Sequence, residues 1–381
     1  MQTIINGIGA LPRLLKENGC RKLFLVIDAS YPYLSLKADI EALTNDLEVV
    51  KFSDFTPNPL YEQVCAGLRL IHDAHCDAIM AIGGGSAIDV SKCIKLAMLS
   101  EEGSKALIPP LVSLRLPIDG AKVPLIAIPT TAGTGSESTH NAVMYYESVK
   151  QTVTNDEILP DIAILEPSVL STLPLYQKKC TMMDAFCQGI ESWWSVNSTP
   201  ESRKYSRQTV ELVTRYWQQY IFDNDFEASR HIMLAANYSG RAINIAQTTA
   251  AHAMSYKITS LFKFPHGHAV AACLPEIWEF MLRHPEKCRD ARGQRHVTDV
   301  FNHIANAMGA ASPRDAIKKF RDMMEAMDLK QPATELDRQI TLETLCQSVN
   351  PIRLKNNPVE LDETTILALY KEIVPTSHTR P

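Results

Sequence analysis

The chain of 381 residues lacks several features that would place it in a class at once. Its formal net charge is -5, so it has no basic excess, and we expect neither a nucleic-acid partner nor a membrane-surface partner. No apolar run is long enough for a membrane span. The opening MQTIINGIGALPRLL has no basic stretch followed by a long apolar one, so we expect a cytoplasmic protein without a processed leader.

A disulfide framework is also missing. The nine cysteines are an odd number, scattered without a CxxC pair. Such cysteines are typical of reduced thiols in a cytosolic protein. What the chain does have is length and apolar content. Hydrophobic residues make up 45% of it, which is enough for two cores, so we expect two domains.

The organisation of the chain changes near its middle. Up to about residue 165, apolar runs such as KLFLVIDAS, CDAIMAIGGGS and PLIAIPTTAGTGS alternate with helical patterns, and this predicts a parallel sheet wound on both faces. After TLPLYQKKC the pattern becomes long helices. We therefore predict a Rossmann-like α/β domain with a doubly wound, mostly parallel sheet over residues 1–172 and an all-α domain over residues 173–381.

Two glycine-containing turns follow predicted strands. Gly83, Gly84 and Gly85 stand between a strand and a helix that begins near Ser86, where backbone N–H groups and the helix dipole can hold a pyrophosphate. The segment IPTTAGTGSEST follows another strand, so both turns would line a crevice at the carboxyl edge of the sheet. The alternative is a tight turn without a ligand, because GGGS is not the GxGxxG fingerprint.

Four residues of the helical half are candidates for one divalent metal site. Asp184 and Gln188 are four residues apart and share a helix face. His252 would lie on a second helix and His266 just past its end. A mixed nitrogen and oxygen set suits iron, zinc or manganese better than calcium. Each residue alone is more commonly a core histidine or an ordinary polar residue of a helix.

In their order along the chain, these motifs resemble those of the iron-containing (group III) alcohol dehydrogenase family. The resemblance runs from INGIGAL through CDAIMAIGGGSAIDVSK, IPTTAGTGSE and DAFCQGIE to FPHGHAV. It implies a dehydroquinate synthase-like architecture, a homo-oligomer, and NAD(P)H-dependent reduction of a small aldehyde to a primary alcohol. The bound ion would polarise the aldehyde oxygen, and reduced nicotinamide would supply the hydride.

The resemblance also implies roles for particular residues. The expected dinucleotide contacts are Gly84, Gly85, Ser86, Asp89, Thr130, Thr131, Ser136 and Lys150. Asp28 stands at the end of a strand, where an acidic residue repels a 2′-phosphate, so we expect NAD(H) in preference to NADP(H). The expected metal ligands are Asp184, Gln188, His252 and His266, with Fe²⁺ as the preferred ion and Zn²⁺ or Mn²⁺ as alternatives.

Two positions depart from the family pattern. Gln188 stands where a histidine ligand is expected, and Tyr256 replaces a histidine commonly found four residues after the ligand that matches His252. An amide oxygen is a weaker ligand than imidazole, so we expect a lower metal affinity or a shift toward ions that accept oxygen ligands. Loss of the metal is the alternative.

Within the family, segments such as DAFCQGIESWWSVNST and VNPIRLKNNPVELDE are similar to a subgroup that reduces phosphonoacetaldehyde to 2-hydroxyethylphosphonate in phosphonate biosynthesis. A phosphonate dianion needs cations, and Arg241, Lys257 and His268 flank the expected metal ligands, although they could equally be solvated. The proton would come from water, the ribose hydroxyl or a nearby titratable group, and we expect His268 or Tyr256 to relay it.

Three other functions stay open at this point. The chain could be a general alcohol, aldehyde or diol dehydrogenase of the same family. It could be a cyclase like dehydroquinate synthase, which uses NAD transiently and consumes no net NADH. It could also be a dinucleotide-binding protein that has lost catalysis.

Overall fold

The structure, a computed structural model, describes residues 2–99, 123–147, 149–333, 338–349 and 351–375. These residues form two compact units. The first unit comprises Met1–Leu173 and Asn224–Gly240, and the second comprises Pro174–Asp223 and Arg241–Pro381. No helix in the described ranges is both long and apolar enough to cross a membrane.

A parallel six-stranded sheet forms the centre of the first unit. Its strands lie in the order β1-β8-β5-β4-β2-β3, and an antiparallel pair, β6 and β7, forms a second small sheet. The strands are β1 Thr3–Asn6, β2 Lys22–Ile27, β3 Glu48–Phe52, β4 Ala78–Gly83, β5 Leu125–Pro129, β6 Asn141–Tyr146, β7 Val149–Thr154 and β8 Ile162–Leu165. The predicted parallel sheet is confirmed.

The central strands of this sheet are buried along their whole length. Every residue of β4 and β5 is buried, as expected for parallel strands that are covered on both faces. The register pairs Ile79 with Leu125 and Gly83 with Pro129, so the two strands end side by side. The helices that follow strands in this unit are α1 Leu11–Glu17, α2 Lys37–Leu43, α3 Tyr61–Ala74 and α4 Gly85–Met98.

One helical segment of the first unit comes from far along the chain. The division predicted from sequence places residues 224–240 in the helical domain, whereas in the structure they belong to the unit that contains the sheet. The reason is a close backbone contact, because a Cβ added to Gly240 would lie 2.4 Å from the carbonyl oxygen of Gly135. In addition, the side-chain amide of Asn237 donates to Glu137 and to the Ser138 hydroxyl.

The second unit is helical in its described residues. Its helices, including α7, whose first part belongs to the first unit, are α5 Leu175–Trp194, α6 Pro200–Phe222, α7 Phe226–Ala246, α8 Ala250–Phe262, α9 His266–Arg283, α10 Gln294–Ala307, α11 Pro313–Ala326, α12 Arg338–Gln347, α13 Pro351–Leu354 and α14 Glu363–Ile373. Trp194 of α5 packs edge-on against Trp278 of α9 and Phe301 of α10, with ring centroids 5.5 and 5.9 Å away. This aromatic packing joins α5, which carries Asp184, to α9, which begins with His266.

Candidate metal and dinucleotide sites

The first glycine turn joins β4 to α4 in the first unit. The backbone N–H of Gly84 donates to Oδ2 of Asp28 at 2.9 Å, and a Cβ at Gly83 would lie 2.5 Å from that oxygen and 2.6 Å from Cβ of Ala87. Only glycine fits there. Gly84, the N-cap residue of α4, has no side chain that could cap the helix. The start of α4 therefore keeps the anion-binding character of a helix N-terminus.

The second turn lies beside the first. The backbone N–H of Thr130 donates to the carbonyl of Gly83 at 3.0 Å. A Cβ on Gly84 would be 3.5 Å from the methyl of Thr131, and one on Gly85 would be 3.1 Å from the methyl of Thr134. The structure therefore brings together the two turns that the sequence predicts at one edge of the sheet.

The buried side chain of Lys92 supports this second turn through hydrogen bonds. Nζ of Lys92 donates to the Ser136 and Thr139 hydroxyls, both at 3.1 Å, and to the carbonyl of Asn141 at 2.7 Å. The Ser136 hydroxyl donates to Asp89 at 2.6 Å. Burial lowers the pKa of Lys92 to about 8 against the opposing charge of Asp89. Asp89 and Ser136, expected to contact the dinucleotide, are thus bonded within the protein and support the turn.

Three further residues are expected to contact the dinucleotide, namely Asp28, Ser86 and Lys150. Oδ1 of Asp28 accepts hydrogen bonds from the backbone N–H and hydroxyl of Ser30, while Oδ2 accepts from Gly84, so the carboxylate is fixed at the end of β2. Half-buried Lys150 lies on β7 opposite Tyr145. Burial raises the pKa of the Asp89 carboxyl, and the charge of Lys150 is among the interactions that oppose this rise. Ser86 accepts a hydrogen bond from the backbone N–H of Asn58 at 3.3 Å.

The predicted metal residues of the second unit converge. Asp184 on α5, His252 on α8 and His266 at the start of α9 each offer a ligand atom, and these atoms lie within 4.8 Å of one another. Nε2 of His252 is 3.4 Å from Oδ1 of Asp184, and Nε2 of His266 is 4.0 Å from the same oxygen. Asp184 and His252 are buried and His266 is half-buried.

The surroundings of two ligand atoms in this cluster favour a metal site. Oδ1 of Asp184 and Nε2 of His252 are buried, and neither has a hydrogen-bond partner in the described structure. Buried polar atoms are nearly always bonded, so two such atoms that lie 3.4 Å apart without a hydrogen bond are suited to bind one ion. Two imidazoles and a carboxylate also form a ligand set that suits Fe²⁺. The residues therefore fit a divalent transition metal.

Gln188 lies one turn after Asp184 on α5 and is also buried. Burial raises the pKa of the Asp184 carboxyl, but His252, His266 and a side-chain hydrogen bond with Gln188 together lower it below its usual value. Gln188 thus lies beside the cluster, where an amide oxygen can join the ligand set.

Glu191 is a contributor that the sequence analysis missed. It is fully buried on α5, and its Oε2 is hydrogen-bonded to Nδ1 of His252. Burial lowers the pKa of His252, but the carboxylates of Glu191 and Asp184 outweigh burial and raise it to about 9. A bound ion would take the place of the Nε2 proton. The signal in the sequence is the spacing Asp184, Gln188, Glu191, which places all three on one helix face.

Tyr256 contacts both His266 of the metal cluster and the guanidinium of Arg353. Tyr256 stacks on His266 with centroids 5.7 Å apart, and the guanidinium carbon of Arg353 lies 5.5 Å from the centroid of the Tyr256 ring. Arg353 was also missed, although its segment VNPIRLKNN carried part of the family resemblance. It lies about a hundred residues from His252 in the sequence, so spacing could not link the two.

His268 does not fit its predicted roles. Its Nε2 is 2.8 Å from the carbonyl oxygen of Lys330, which can only accept, so Nε2 carries the proton and Nδ1 accepts from the Tyr176 hydroxyl at 2.9 Å. The ring also stacks on Phe264 with centroids 4.2 Å apart. Burial lowers the pKa of His268, although the hydrogen bond to the carbonyl of Lys330 opposes this shift. Both nitrogens are engaged within the protein, and this geometry argues against phosphonate binding and proton relay by His268.

The other two predicted phosphonate ligands lie on helices α7 and α8. Arg241 holds its guanidinium carbon 5.4 Å from the ring centroid of Tyr205 on α6. Lys257 is half-buried and directly follows Tyr256.

The first unit thus has two glycine-containing turns side by side at one edge of its sheet, and the second unit brings a carboxylate and two histidines together. The sequence matches the family described as iron-containing alcohol dehydrogenase over residues 2–167, and the C-terminal part of the Fe-containing alcohol dehydrogenase family over residues 179–374. The chain belongs to the iron-containing alcohol dehydrogenase family, and it is an oxidoreductase of that type.

Several relatives show how far this similarity extends. The chain is 31% identical over 323 residues to phosphonoacetaldehyde reductase of Streptomyces viridochromogenes, covering 82% of this chain and 80% of that protein. It is 27% identical to NAD-dependent methanol dehydrogenase of Bacillus methanolicus, covering 88% and 90%. Its fold matches the crystal structure of sulfoacetaldehyde reductase from Bifidobacterium kashiwanohense in complex with NAD⁺, with a TM-score of 0.86, 25% identity and coverage of 100% and 98%.

Proposed function

We propose that this protein is a metal-dependent NADH oxidoreductase that reduces a small aldehyde carrying an anionic group, with phosphonoacetaldehyde as the first choice and 2-hydroxyethylphosphonate as the product. The observation that carries the proposal is the convergence of Asp184, His252 and His266 with two buried, unsatisfied ligand atoms. Such atoms are costly to bury without a partner, so a helical core would not keep them for packing alone.

The metal would be held by Asp184, His252 and His266, with the amide oxygen of Gln188 as the proposed fourth ligand. Fe²⁺ is the first choice, and Zn²⁺ and Mn²⁺ are the alternatives. When bound, the ion acts as a Lewis acid toward the aldehyde oxygen. The buried position of Asp184 and His252 keeps water from competing at the site and strengthens the electrostatic interactions within it.

The dinucleotide is proposed to bind at the two glycine turns. The start of α4 at Gly85 and Ser86 supplies backbone N–H groups for the pyrophosphate, and Thr130 and Thr131 lie beside them. The fixed carboxylate of Asp28 would repel a 2′-phosphate, which favours NADH over NADPH. The reduced nicotinamide supplies the hydride.

Proton delivery is assigned to Tyr256. Both nitrogens of His268 are engaged within the protein, and this leaves the other predicted residue. The Tyr256 ring is stacked on His266, so it lies next to one of the proposed ligands. A phenol can donate a proton to an alkoxide that forms within hydrogen-bond reach.

Recognition of the anionic group is assigned to Arg353 together with Lys257. A guanidinium can bind a phosphonate through two parallel hydrogen bonds, and Arg353 lies over the ring that stacks on His266. The choice of substrate also has support from the relatives. Phosphonoacetaldehyde and sulfoacetaldehyde, the aldehydes in two of their names, are two-carbon aldehydes with an anionic group.

An assay of NADH oxidation tests the proposal. Metal-free protein is reloaded with Fe²⁺, Zn²⁺ or Mn²⁺ and given phosphonoacetaldehyde, sulfoacetaldehyde or propionaldehyde. We expect NADH oxidation that requires a metal, with the highest kcat/KM for phosphonoacetaldehyde. Equal kcat/KM for the charged and neutral aldehydes would instead support a general aldehyde or diol dehydrogenase. NADH binding without oxidation under every ion would support a protein that has lost catalysis.

A further inference from the structure

Glu191 makes five interactions with the segment that begins α8. Its Oε1 accepts hydrogen bonds from the backbone N–H groups of Thr249, Ala251 and His252, at 3.1, 3.0 and 3.3 Å. The same oxygen accepts from the Thr249 hydroxyl at 2.9 Å. Its Oε2 is hydrogen-bonded to Nδ1 of His252. A fully buried carboxylate is thus bonded through both of its oxygens.

One consequence concerns the start of helix α8. The first N–H groups of a helix have no partner within the helix, and the N-cap residue Thr249 makes no side-chain cap there. Glu191 supplies the missing acceptor from α5, and its negative charge suits the positive end of the helix dipole. The carboxylate therefore ties α5, which carries Asp184, to α8, which carries His252.

A second consequence concerns the His252 imidazole. A carboxylate only accepts hydrogen bonds, so the Nδ1 that faces Glu191 must carry a hydrogen. The other nitrogen, Nε2, points toward Oδ1 of Asp184 at 3.4 Å. Metal ligation needs a lone pair on that nitrogen, and a partner on the far side of the ring can hold the ring in the ligating tautomer.

We propose that Glu191 is a positioning residue that fixes the orientation and tautomer of His252 for metal binding. This inference rests on the proposed function, because it assumes that His252 is a ligand. Glu191 acts through His252 and the start of α8, without contact with the ion.

The variant Glu191→Gln separates the two effects of this carboxylate. An amide can still cap α8 through its oxygen. The opposite orientation is unfavourable, because its NH₂ group would face the N–H groups of the helix and both are donors. With the oxygen on the helix, the NH₂ faces Nδ1 and donates to it, so the proton moves to Nε2. Glu191→Gln should therefore keep the helix start but favour the tautomer that cannot bind metal. Glu191→Ala removes both effects.

The experiment measures the Zn²⁺ Kd of each variant by competition with a chromophoric chelator and the Tm of each metal-free protein. We expect Glu191→Gln to raise the Kd roughly 10- to 100-fold, the range for partners of metal-binding histidines, while its metal-free Tm stays close to that of the parent. Glu191→Ala should raise the Kd and lower the Tm. The matched control is Glu279→Gln on α9, a half-buried carboxylate paired with Arg283 and Arg314, which should leave the Kd unchanged.

A spectroscopic readout distinguishes positioning from general structure. In ¹H–¹⁵N spectra of the Zn²⁺-loaded parent, with His252 assigned by comparison with a His252→Gln variant, Nδ1 should carry the hydrogen and Nε2 should show metal ligation. An unchanged Kd in Glu191→Gln, or a hydrogen on Nε2 in the loaded parent, would overturn the inference about Glu191 alone. A parent that binds no Zn²⁺ would overturn the proposed function as well.

Discussion

The ring of Tyr256 lies parallel to the imidazole of His266, with their planes 1° apart. Tyr256 occupies a position where the family pattern commonly has a histidine, and the stack keeps an aromatic ring beside a proposed ligand. Tyr256 thus adds a phenol oxygen to the surroundings of a proposed ligand.

The phenol oxygen can be tested by Tyr256→Phe. This variant keeps the stacked ring and removes the proton donor, so we expect kcat to fall about 10²-fold, as is common when a general acid is removed, with little change in the Zn²⁺ Kd. Steady-state NADH oxidation and chelator competition measure the two quantities. An unchanged kcat would remove Tyr256 from the proton path, and a matching fall in metal affinity would give it a packing role instead.

Arg353 provides a test of substrate class. If its guanidinium binds the phosphonate, Arg353→Ala should raise the KM for phosphonoacetaldehyde by roughly 10²-fold, corresponding to about 3 kcal/mol for a lost charge-assisted hydrogen bond. The kinetics with propionaldehyde should stay nearly unchanged. Arg353→Lys should recover only part of the loss, because an ammonium cannot make the two parallel bonds. A similar loss with both aldehydes would show that Arg353 supports the Tyr256 stack and does not select the substrate.

Gln188 provides a test of the fourth ligand. Gln188→Ala should raise the Zn²⁺ Kd by roughly tenfold or more, since even partners outside the ligand set cost that much. Gln188→His restores the residue expected from the family pattern, and we expect it to lower the Kd. Elemental analysis and chelator competition give occupancy and affinity. Full occupancy in Gln188→Ala at the same Kd would exclude Gln188 from the ligands.

Gly240 provides a test of whether helix α7 supports the second glycine-containing turn. An added Cβ would lie 2.4 Å from the backbone oxygen of Gly135, so Gly240→Ala must displace the turn that carries Thr130 and Thr131. We expect weaker NADH binding, a loss of about 1–3 kcal/mol in the free energy of unfolding, and an unchanged Zn²⁺ Kd. Fluorescence titration with NADH measures the first effect. Gly9→Ala is the control, because a Cβ there meets nothing within 4 Å, and equal NADH affinity in both variants would contradict this account.

The interaction of Asp290 with Arg292 leads us to expect that the free energy of unfolding depends on pH. Burial raises the pKa of this carboxyl, but hydrogen bonds and the charge of Arg292 lower it below its usual value. A lowered pKa in the folded state stabilises the protein above the unfolded pKa of about 4, and the effect is lost as the pH falls through the folded value. Asp290→Asn should therefore cost about 3 kcal/mol at pH 7 and progressively less below pH 4. Urea unfolding across this range measures the cost, and a constant difference would contradict the assignment.

Local sequence patterns predict much of this fold and part of the site. The run CDAIMAIGGGS encodes a buried strand that ends in glycine, and the structure forms β4 and the turn at Gly83 from it. Asp184, His252 and His266 have side chains whose chemistry suits a metal, and the family resemblance implies that they converge, as they do in the structure.

Long-range contacts set the limits of that prediction. Nothing near Gly240 shows that it will pack on Gly135, more than a hundred residues earlier, so the sequence alone does not show that segment 224–240 joins the unit that contains the sheet. His268 has the chemistry of a relay, but its nitrogens are engaged by Tyr176 and by the carbonyl of Lys330, which sequence spacing does not place beside it. Glu191 is an acid in a buried helix, and only the fold shows that its partner is the start of α8.

The most direct test of the central claim is the rate of NADH oxidation with phosphonoacetaldehyde as Fe²⁺ is returned to the metal-free protein under anaerobic conditions. The account predicts no oxidation without the metal, a rate that saturates at one ion per chain, and no recovery in the His252→Ala variant. Oxidation that proceeds equally well without metal, or full recovery of the rate in His252→Ala, would contradict it.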